Sequence, residues 1–258
     1  MQNYKGCWLH FNKSYIFDVF LCLLLSVYYS LIQNKQVHTE ELNIKSAGQY
    51  YLDGLYNYTD RSYTTAAEQF EALSKNHPHS SYTKNSLIME VYTNYINKEY
   101  EKIQGITDVF FSLFPNDEYT AYMYYMLAMS YYALVKTDMR AINYITDSKD
   151  IFITLLEKFP KSKYAGNVKE KIKYLTYMQQ LNDVRAGDFY QNTNNYISAM
   201  RRYTGVLELY KNNINPQIEE ITICKIKKLS TAMQLIQNAE KYEQLLRQKY
   251  PNSKCLNI

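Results

Sequence analysis

The sequence predicts an all-α fold, a tetratricopeptide-like helical-repeat solenoid of about five helix pairs. Three observations predict it. Helix–turn–helix junctions recur as Pro78-His79-Ser80-Ser81-Tyr82, Pro115-Asn116-Asp117-Glu118-Tyr119, Phe159-Pro160 through Tyr164, and Pro251-Asn252-Ser253. Proline lacks a backbone donor and ends a helix near the residue before it. Gly54, Ala66, Phe70 and Pro78 stand twelve, four and eight apart, the mutual spacing of the tetratricopeptide signature. Finally, 7 Gly and 5 Pro in 258 residues are too few for a many-turned β protein.

At the amino terminus, Lys5 and Lys13 precede an apolar run over residues 19–32 that is interrupted by Ser26, Tyr28, Tyr29 and Ser30. The run is short for a membrane span and near the length of a signal-peptide core. Residues 1–35 are therefore expected to be an export signal or anchor, with a buried helix as the alternative. Residues 36–45 form a linker, and residues 46–258 the repeat domain.

Five units follow, at about 46–79, 80–116, 117–161, 162–212 and 216–252. Gly54 and Ala66 mark where two helices touch, Phe70 fills the space beneath them, and Pro78 ends the unit. A simpler template places Tyr or Ile first, a small or aliphatic residue three later, and the terminator twelve after that. Tyr63, Ala66 and Pro78 fit it, as do Tyr100, Ile103 and Pro115. Ile145, Ser148 and Pro160 fit with a polar middle residue. Tyr196, Ala199 and Lys211 keep the spacing without the proline, and Ile236, Ala239 and Pro251 close the array.

Second helices of constant length are expected, so the extra residues fall in the first helices and the turns. In the third unit the first helix, over 117–135, carries Tyr122, Tyr125, Met126, Met129, Tyr132 and Ala133 at helical spacing. The fourth unit opens with a long helix from 163 to about 190. Gly187 near its end is expected to bend or loosen it, and Ser162 to cap its start.

Charge is unevenly spread. Residues 1–160 hold 13 basic and 17 acidic side chains, net −4, and residues 161–258 hold 16 and 8, net +8. A basic half can face acidic protein, anionic lipid or nucleic acid; a solvated lysine-rich surface gives the same count. Cys7, Cys22, Cys224 and Cys255 show neither CxxC nor metal-ligand spacing. Whether Cys224 and Cys255 pair is left open, because sequence does not give their separation.

In order and spacing, several segments resemble the BamD family of outer-membrane β-barrel assembly factors. They are LYNY at 55–58 before SYTTAAEQFEAL, YTAYMYYMLAMSYY at 119–132, FPKSKYAGNVKEKIKYL at 159–175, and YISAMRRYTGVLELY at 196–210. The resemblance covers about residues 47–253. It implies a periplasmic lipoprotein associated peripherally with the inner face of the cell outer membrane. Such a protein would bind the POTRA domains of BamA within the β-barrel assembly machine and help deliver unfolded outer-membrane proteins, with no cofactor and no nucleic acid. Two positions depart from the family pattern. Cys22 follows Phe20-Leu21 inside the apolar run, so no lipidated cysteine is assigned. Lys211 stands where a proline is expected.

Two candidate sites emerge. Tyr51, Asn57, Tyr58, Tyr92, Asn94, Tyr95, Tyr122 and Tyr125 are expected to line a groove over units one to three. Tyrosine offers a flat apolar ring and a hydroxyl at low entropic cost, which suits an extended, aromatic-ended peptide, and the resemblance points the same way. Inter-helix core accounts equally for aromatics at this spacing. The second site comprises Arg201 and Arg202 with Lys225, Lys227 and Lys228. By resemblance, Arg202 falls where the family has an arginine facing BamA, and a guanidinium can grip a carboxylate with two prongs. Ordinary surface cations are the alternative.

His77 and His79 flank Pro78 with no third metal ligand near in sequence, so a plain turn is expected. No catalytic constellation stands out. The expected role is that of a non-enzymatic scaffold. Its rivals are another periplasmic repeat adaptor, serving the Tol–Pal system or the cell wall, or a cytoplasmic one.

Overall fold

The computed structural model describes residues 25–30, 44–137 and 142–257; the expected leader, with Cys7 and Cys22, lies largely outside them. Residues 25–30 are helical and exposed. No helix among the described residues is long and apolar enough to cross a membrane.

The described residues are all-α: beyond the helical segment at 25–30, ten helices form five pairs. The first pair is α1 (Ala47–Thr59) and α2 (Tyr63–Asn76). The second is α3 (Thr83–Ile96) and α4 (Ile103–Leu113), the latter entered through a 3-10 turn at Tyr100–Lys102. Then come α5 (Thr120–Thr137) with α6 (Ile142–Lys158), α7 (Ala165–Asn192) with α8 (Tyr196–Leu209), and α9 (Pro216–Ala232) with α10 (Ile236–Lys249).

Local chemistry sets the helix ends. Ser46 and Gln49 form a capping box at α1: each side chain takes or accepts a bond at the other's backbone. Asn195 accepts from Ser198 N at α8, and Asn215 caps α9 ahead of Pro216 at its first position. The 28-residue α7 begins without the expected cap. The Ser162 amide instead donates to Phe159 O, closing the turn, and helix starts only after Tyr164. Its hydroxyl is buried and unpartnered.

The turns inside the pairs repeat a device without glycine. Arg61, Lys98, Asn194 and Gln234 have φ of 63, 64, 59 and 58°. Each stands two residues before Tyr63, Tyr100, Tyr196 and Ile236 of the sequence template. The amide after each reaches back over five residues, Ser62 to Asn57 O, Glu99 to Asn94 O, Asn195 to Tyr190 O and Leu235 to Ser230 O, each at 2.9 Å. This is the Schellman closure, and it puts the four template positions at equivalent helix starts.

Turns between pairs repeat as well. His77, Phe114 and Tyr250, each before a proline, share φ near −134° (−133, −134 and −135°), as expected where proline drives its predecessor out of the α region. Tyr210, before Lys211, sits at φ −102°. There the path to α9 is held by Gln180, whose side chain donates to Asn213 O at 3.1 Å and accepts from Asn215 N at 2.9 Å.

Second helices are not of constant length. α2, α8 and α10 have 14 residues, whereas α6 has 17; the third pair lengthens both helices, since α5 has 18 residues.

The core is a succession of seams between neighbours, as in quasi-one-dimensional arrays. One seam joins Leu87, Val91, Ile103, Phe110 and Met123; a second, Ile145, Phe152, Leu155, Val168 and Leu175; a third, Tyr203, Val206, Ile223, Ile226 and Leu246. At the third seam's edge Cys224 and Cys255 form a disulfide, Cα to Cα 5.8 Å, that ties the carboxy-terminal 3-10 turn to α9. Gly187, expected to bend or loosen α7, does not interrupt it. It is buried inside one continuous helix, where a methyl would strike the Tyr203 ring.

Candidate functional site

First helices of successive pairs bring tyrosines into a row. Tyr58 on α1 and Tyr92 on α3 have ring centroids 6.0 Å apart, and Tyr63 lies 5.8 Å from Tyr58. On α5, Tyr122 lies 6.3 Å from Tyr164, and Tyr125 stacks on Tyr164 at 4.6 Å. Tyr95 packs on Tyr100 at 5.4 Å. Tyr51 begins the row, 5.4 Å from Tyr82 and 6.0 Å from Phe70.

Burial, then the hydroxyls of Tyr164, Tyr92 and Tyr58, pushes the Tyr122 phenol far above its usual range. Burial likewise raises Tyr58, with a hydrogen bond to Tyr92 adding to it. The Tyr58 and Tyr122 phenols are therefore neutral donors and acceptors at physiological pH. Tyr92 is 37% exposed and Tyr82 42%; Tyr51, Tyr58, Tyr95, Tyr122 and Tyr125 are half-buried. Each ring thus serves both as packing and as surface.

The two asparagines do not join them. Asn57 is turned to its own helix, donating to Asp53 O at 2.7 Å. Asn94 is 2% exposed and donates to Glu90 O at 2.9 Å. Two residues of helix put it some 200° around from Tyr92, where it lines a different cleft, between α2, α3 and α4. The sequence reading omitted Tyr82 and Tyr164, which extend the row. Both stand four residues after a proline, as does Tyr119. That Pro-x-x-x-Tyr pattern, taken only as punctuation, is the signal for them.

The expected basic set divides three ways. Arg201 and Arg202 are exposed on α8 and line a cleft of about 340 Å³ with Asp183, Tyr190, Ser198 and Leu209. Arg202 lies 5.8 Å over the Tyr190 ring. Leu209 in the lining is 72% exposed, and Phe189 and Ile197, the chain neighbours of Tyr190 and Ser198, are 63 and 68% exposed. Lys225 and Lys228 line a second cleft beside the disulfide, with Lys254; Lys225 is paired with Asp188 at 2.7 Å.

Lys227 faces inward. It is 9% exposed, donates to Cys255 O at 3.2 Å and pairs with Glu243 at 3.4 Å. Its place in the repeat explains this. Lys227, Ala239 and Glu243 occupy the twelve-and-four spacing that Gly54, Ala66 and Phe70 occupy in the first pair. An ion pair here replaces the glycine–phenylalanine contact, so Lys227 is packed as a core residue.

His77 and His79 remain a turn. His77 Nε2 lies 2.8 Å from Lys45 O, and the ring packs 6.1 Å from Tyr50. Among the described residues no group of three or more His, Cys, Asp or Glu is arranged to hold a metal.

A protein-family model described as YfiO, outer membrane lipoprotein, matches residues 44–245. The chain is 28% identical over 204 residues to outer membrane protein assembly factor BamD of Rickettsia prowazekii, covering 79% of this chain and 80% of that one. It is 21% identical over 150 residues to BamD of Caulobacter vibrioides, covering 58% of this chain and 49% of that one. With BamD of Pasteurella multocida it shares 25% over 170 residues, covering 62% and 65%. Among solved structures it is similar to a tetratricopeptide protein of Thermus thermophilus, with TM-score 0.36, 15% identity, and coverage of 82% of this chain and 95% of that one.

Proposed function

The chain belongs to the YfiO family of outer membrane lipoproteins, and from that premise we propose that it is a non-catalytic scaffold of outer-membrane β-barrel assembly. It stands at the periplasmic face of the outer membrane. One surface receives unfolded barrel precursors, and the other binds the POTRA domains of BamA. Its relatives carry the name outer membrane protein assembly factor, which supports the coarse role.

The observation that carries the finer one is the tyrosine row itself. Tyr51, Tyr58, Tyr92, Tyr122 and Tyr125 come from three successive first helices, and Tyr82 and Tyr164 from the turns between pairs. In neighbouring pairs they present apolar edges and hydroxyls from one helix pair to the next. An extended peptide has alternating side chains and unpaired backbone groups, and a ladder of amphipathic rings can serve both. At the other end, Arg201 and Arg202 supply exposed cations beside apolar side chains such as Leu209. That is the composition of strong interface sites.

The test is a binding titration of the full chain with a synthetic peptide carrying the aromatic carboxy terminus of a barrel protein. Combining Tyr92→Ala with Tyr122→Ala is expected to weaken binding by about tenfold, since each aromatic contact contributes about 0.5–1.5 kcal/mol. Unchanged affinity in a folded double variant removes the groove from this reading.

A further inference from the structure

Away from both surfaces, α2, α3 and α4 enclose a cleft of about 470 Å³, within the roughly 300–1,000 Å³ span of ligand clefts. Glu90 lines it and is only 5% exposed. Its Oε2 is buried and has no hydrogen-bond partner. A carboxyl group in that condition is costly, and native proteins seldom leave one so.

The cleft's own cations are already paired with other carboxylates. Lys75 is held by Glu71 at 2.5 Å and Lys102 by Glu99 at 3.7 Å. Glu68 and Glu71 add two more carboxylates to the lining, and Leu87, Ile106 and the 45%-exposed Val109 make apolar walls. At Gly105 an added methyl would meet nothing within 4 Å, so the mouth is open there.

We propose that this cleft binds an arginine side chain presented by an apolar-flanked segment of a partner protein. Its guanidinium would pair with Glu90 and its stem would lie on Leu87, Ile106 and Val109. A guanidinium carries five donors and is more weakly hydrated than an ammonium, so it suits a carboxyl group that is buried and short of a partner. The apolar walls and the cleft's volume favour a peptide over a free small amine. The metal alternative lacks a ligand set among the described residues.

Burial first, and then Glu71, raise the Glu90 carboxyl to about 8, with Lys75 opposing. Below that pH the free group is neutral. Pairing with a cation ionises it, so binding releases a proton, and affinity climbs as pH rises toward 8.

The experiment titrates the full chain, near neutral pH, with acetyl-Gly-Leu-Arg-Val-Gly-amide and with the same peptide carrying citrulline for arginine. Calorimetry in two buffers of different ionisation heat reads the proton. The arginine peptide is expected to bind with proton release and the citrulline peptide at least about tenfold more weakly, the weight of a charge-assisted bond. Glu90→Gln, checked for helix content, is expected to lower arginine-peptide affinity by a similar factor. Equal binding of the two peptides, or no binding of either, overturns the proposal. So does agmatine binding as tightly as the peptide, which would make the cleft a small-amine site. The citrulline comparison uses the unmutated chain, so it decides the matter even if Glu90→Gln misfolds.

Discussion

Gly187 on α7 is pressed against the ring of Tyr203 on α8, so closely that a methyl group at 187 would lie 2.6 Å from Cδ1. The Tyr203 hydroxyl reaches past it to donate to Asp188 at 2.6 Å and contacts Gln191 at 2.9 Å. Gly54 and Phe70 repeat the arrangement in the first pair, where the same hypothetical atom would meet Cε1 at 2.5 Å. Glycine is needed at both places for close approach, not for backbone freedom.

The Gly187→Ala variant should therefore lose stability although alanine is the better helix former. Overpacking a filled contact costs about 1–3 kcal/mol, more than the 0.5–1 kcal/mol that alanine contributes in a helix interior. Gly166 lies in the same helix with nothing within 4 Å of an added methyl. Gly166→Ala is expected to raise the melting temperature while Gly187→Ala lowers it, by about 2–4 °C per kcal/mol. Thermal denaturation followed by circular dichroism compares them, and equal shifts would deny the contact.

The repeat was legible wherever its residue types stayed conventional. Ala66 and Phe70 are both fully buried, and the small–large logic of the first pair could be read from letters alone. It was illegible where chemistry changed but geometry did not. Gly187 and Tyr203 keep the spacing, yet a glycine late in a 28-residue helix resembles a breaker. Lys227 and Glu243 keep it too, but charges at core positions look like surface. The tyrosines were visible as candidates because they recur along first helices. Asn94 was misjudged because its helical phase, not its type, sends it to the opposite side.

The four left-handed turn residues were hidden for a related reason. Arg61, Lys98, Asn194 and Gln234 occupy a position that glycine fills most cheaply, so no glycine marked the turns. For an L-residue with a Cβ, that backbone costs about 1–2 kcal/mol. Gln234 and Lys98 are exposed, and replacing either by glycine should relieve most of this strain. Part is returned because glycine has more freedom to lose on folding. A net gain of about 0.5–1 kcal/mol is expected for Gln234→Gly and Lys98→Gly. The reverse sign in urea denaturation would mean these side chains contribute more than their backbone costs.

Glu90 predicts a pH dependence. Its carboxyl stands at about 8 in the folded chain against a reference of 4.5. Between those values the unfolded chain has lost the proton and the native chain keeps it, so stability falls as pH rises and levels off above 8. Glu90→Gln removes the liability. The variant should match the parent near pH 4.5 and exceed it at alkaline pH, by an amount on the order of a few kcal/mol. Urea denaturation across that range measures the gap; a gap that does not widen with pH would mean Glu90 is ionised in the native state.

Arg202 and Lys227 carry the same charge and should fail in opposite ways. Arg202 is exposed on α8 and contacts the Tyr190 ring at 5.8 Å. Arg202→Glu should leave stability within about 0.5 kcal/mol, as surface changes usually do, while reversing the charge at the surface proposed to meet BamA. Lys227 is buried between Glu243 and the carbonyl of Cys255. Truncating it to alanine leaves the buried Cys255 carbonyl without its donor, while Glu243 keeps Arg247 at 2.7 Å; the expected loss from the orphaned carbonyl is about 1–3 kcal/mol. The full-length protein, purified from the native envelope with its partners, gives the second readout. Arg202→Glu should recover less BamA at unchanged melting temperature; Lys227→Ala should melt earlier, yet recover BamA normally below its transition. A Lys227→Ala protein of full stability that no longer recovers BamA would move this lysine to the docking surface, and a full-strength complex with Arg202→Glu would take the arginine off it.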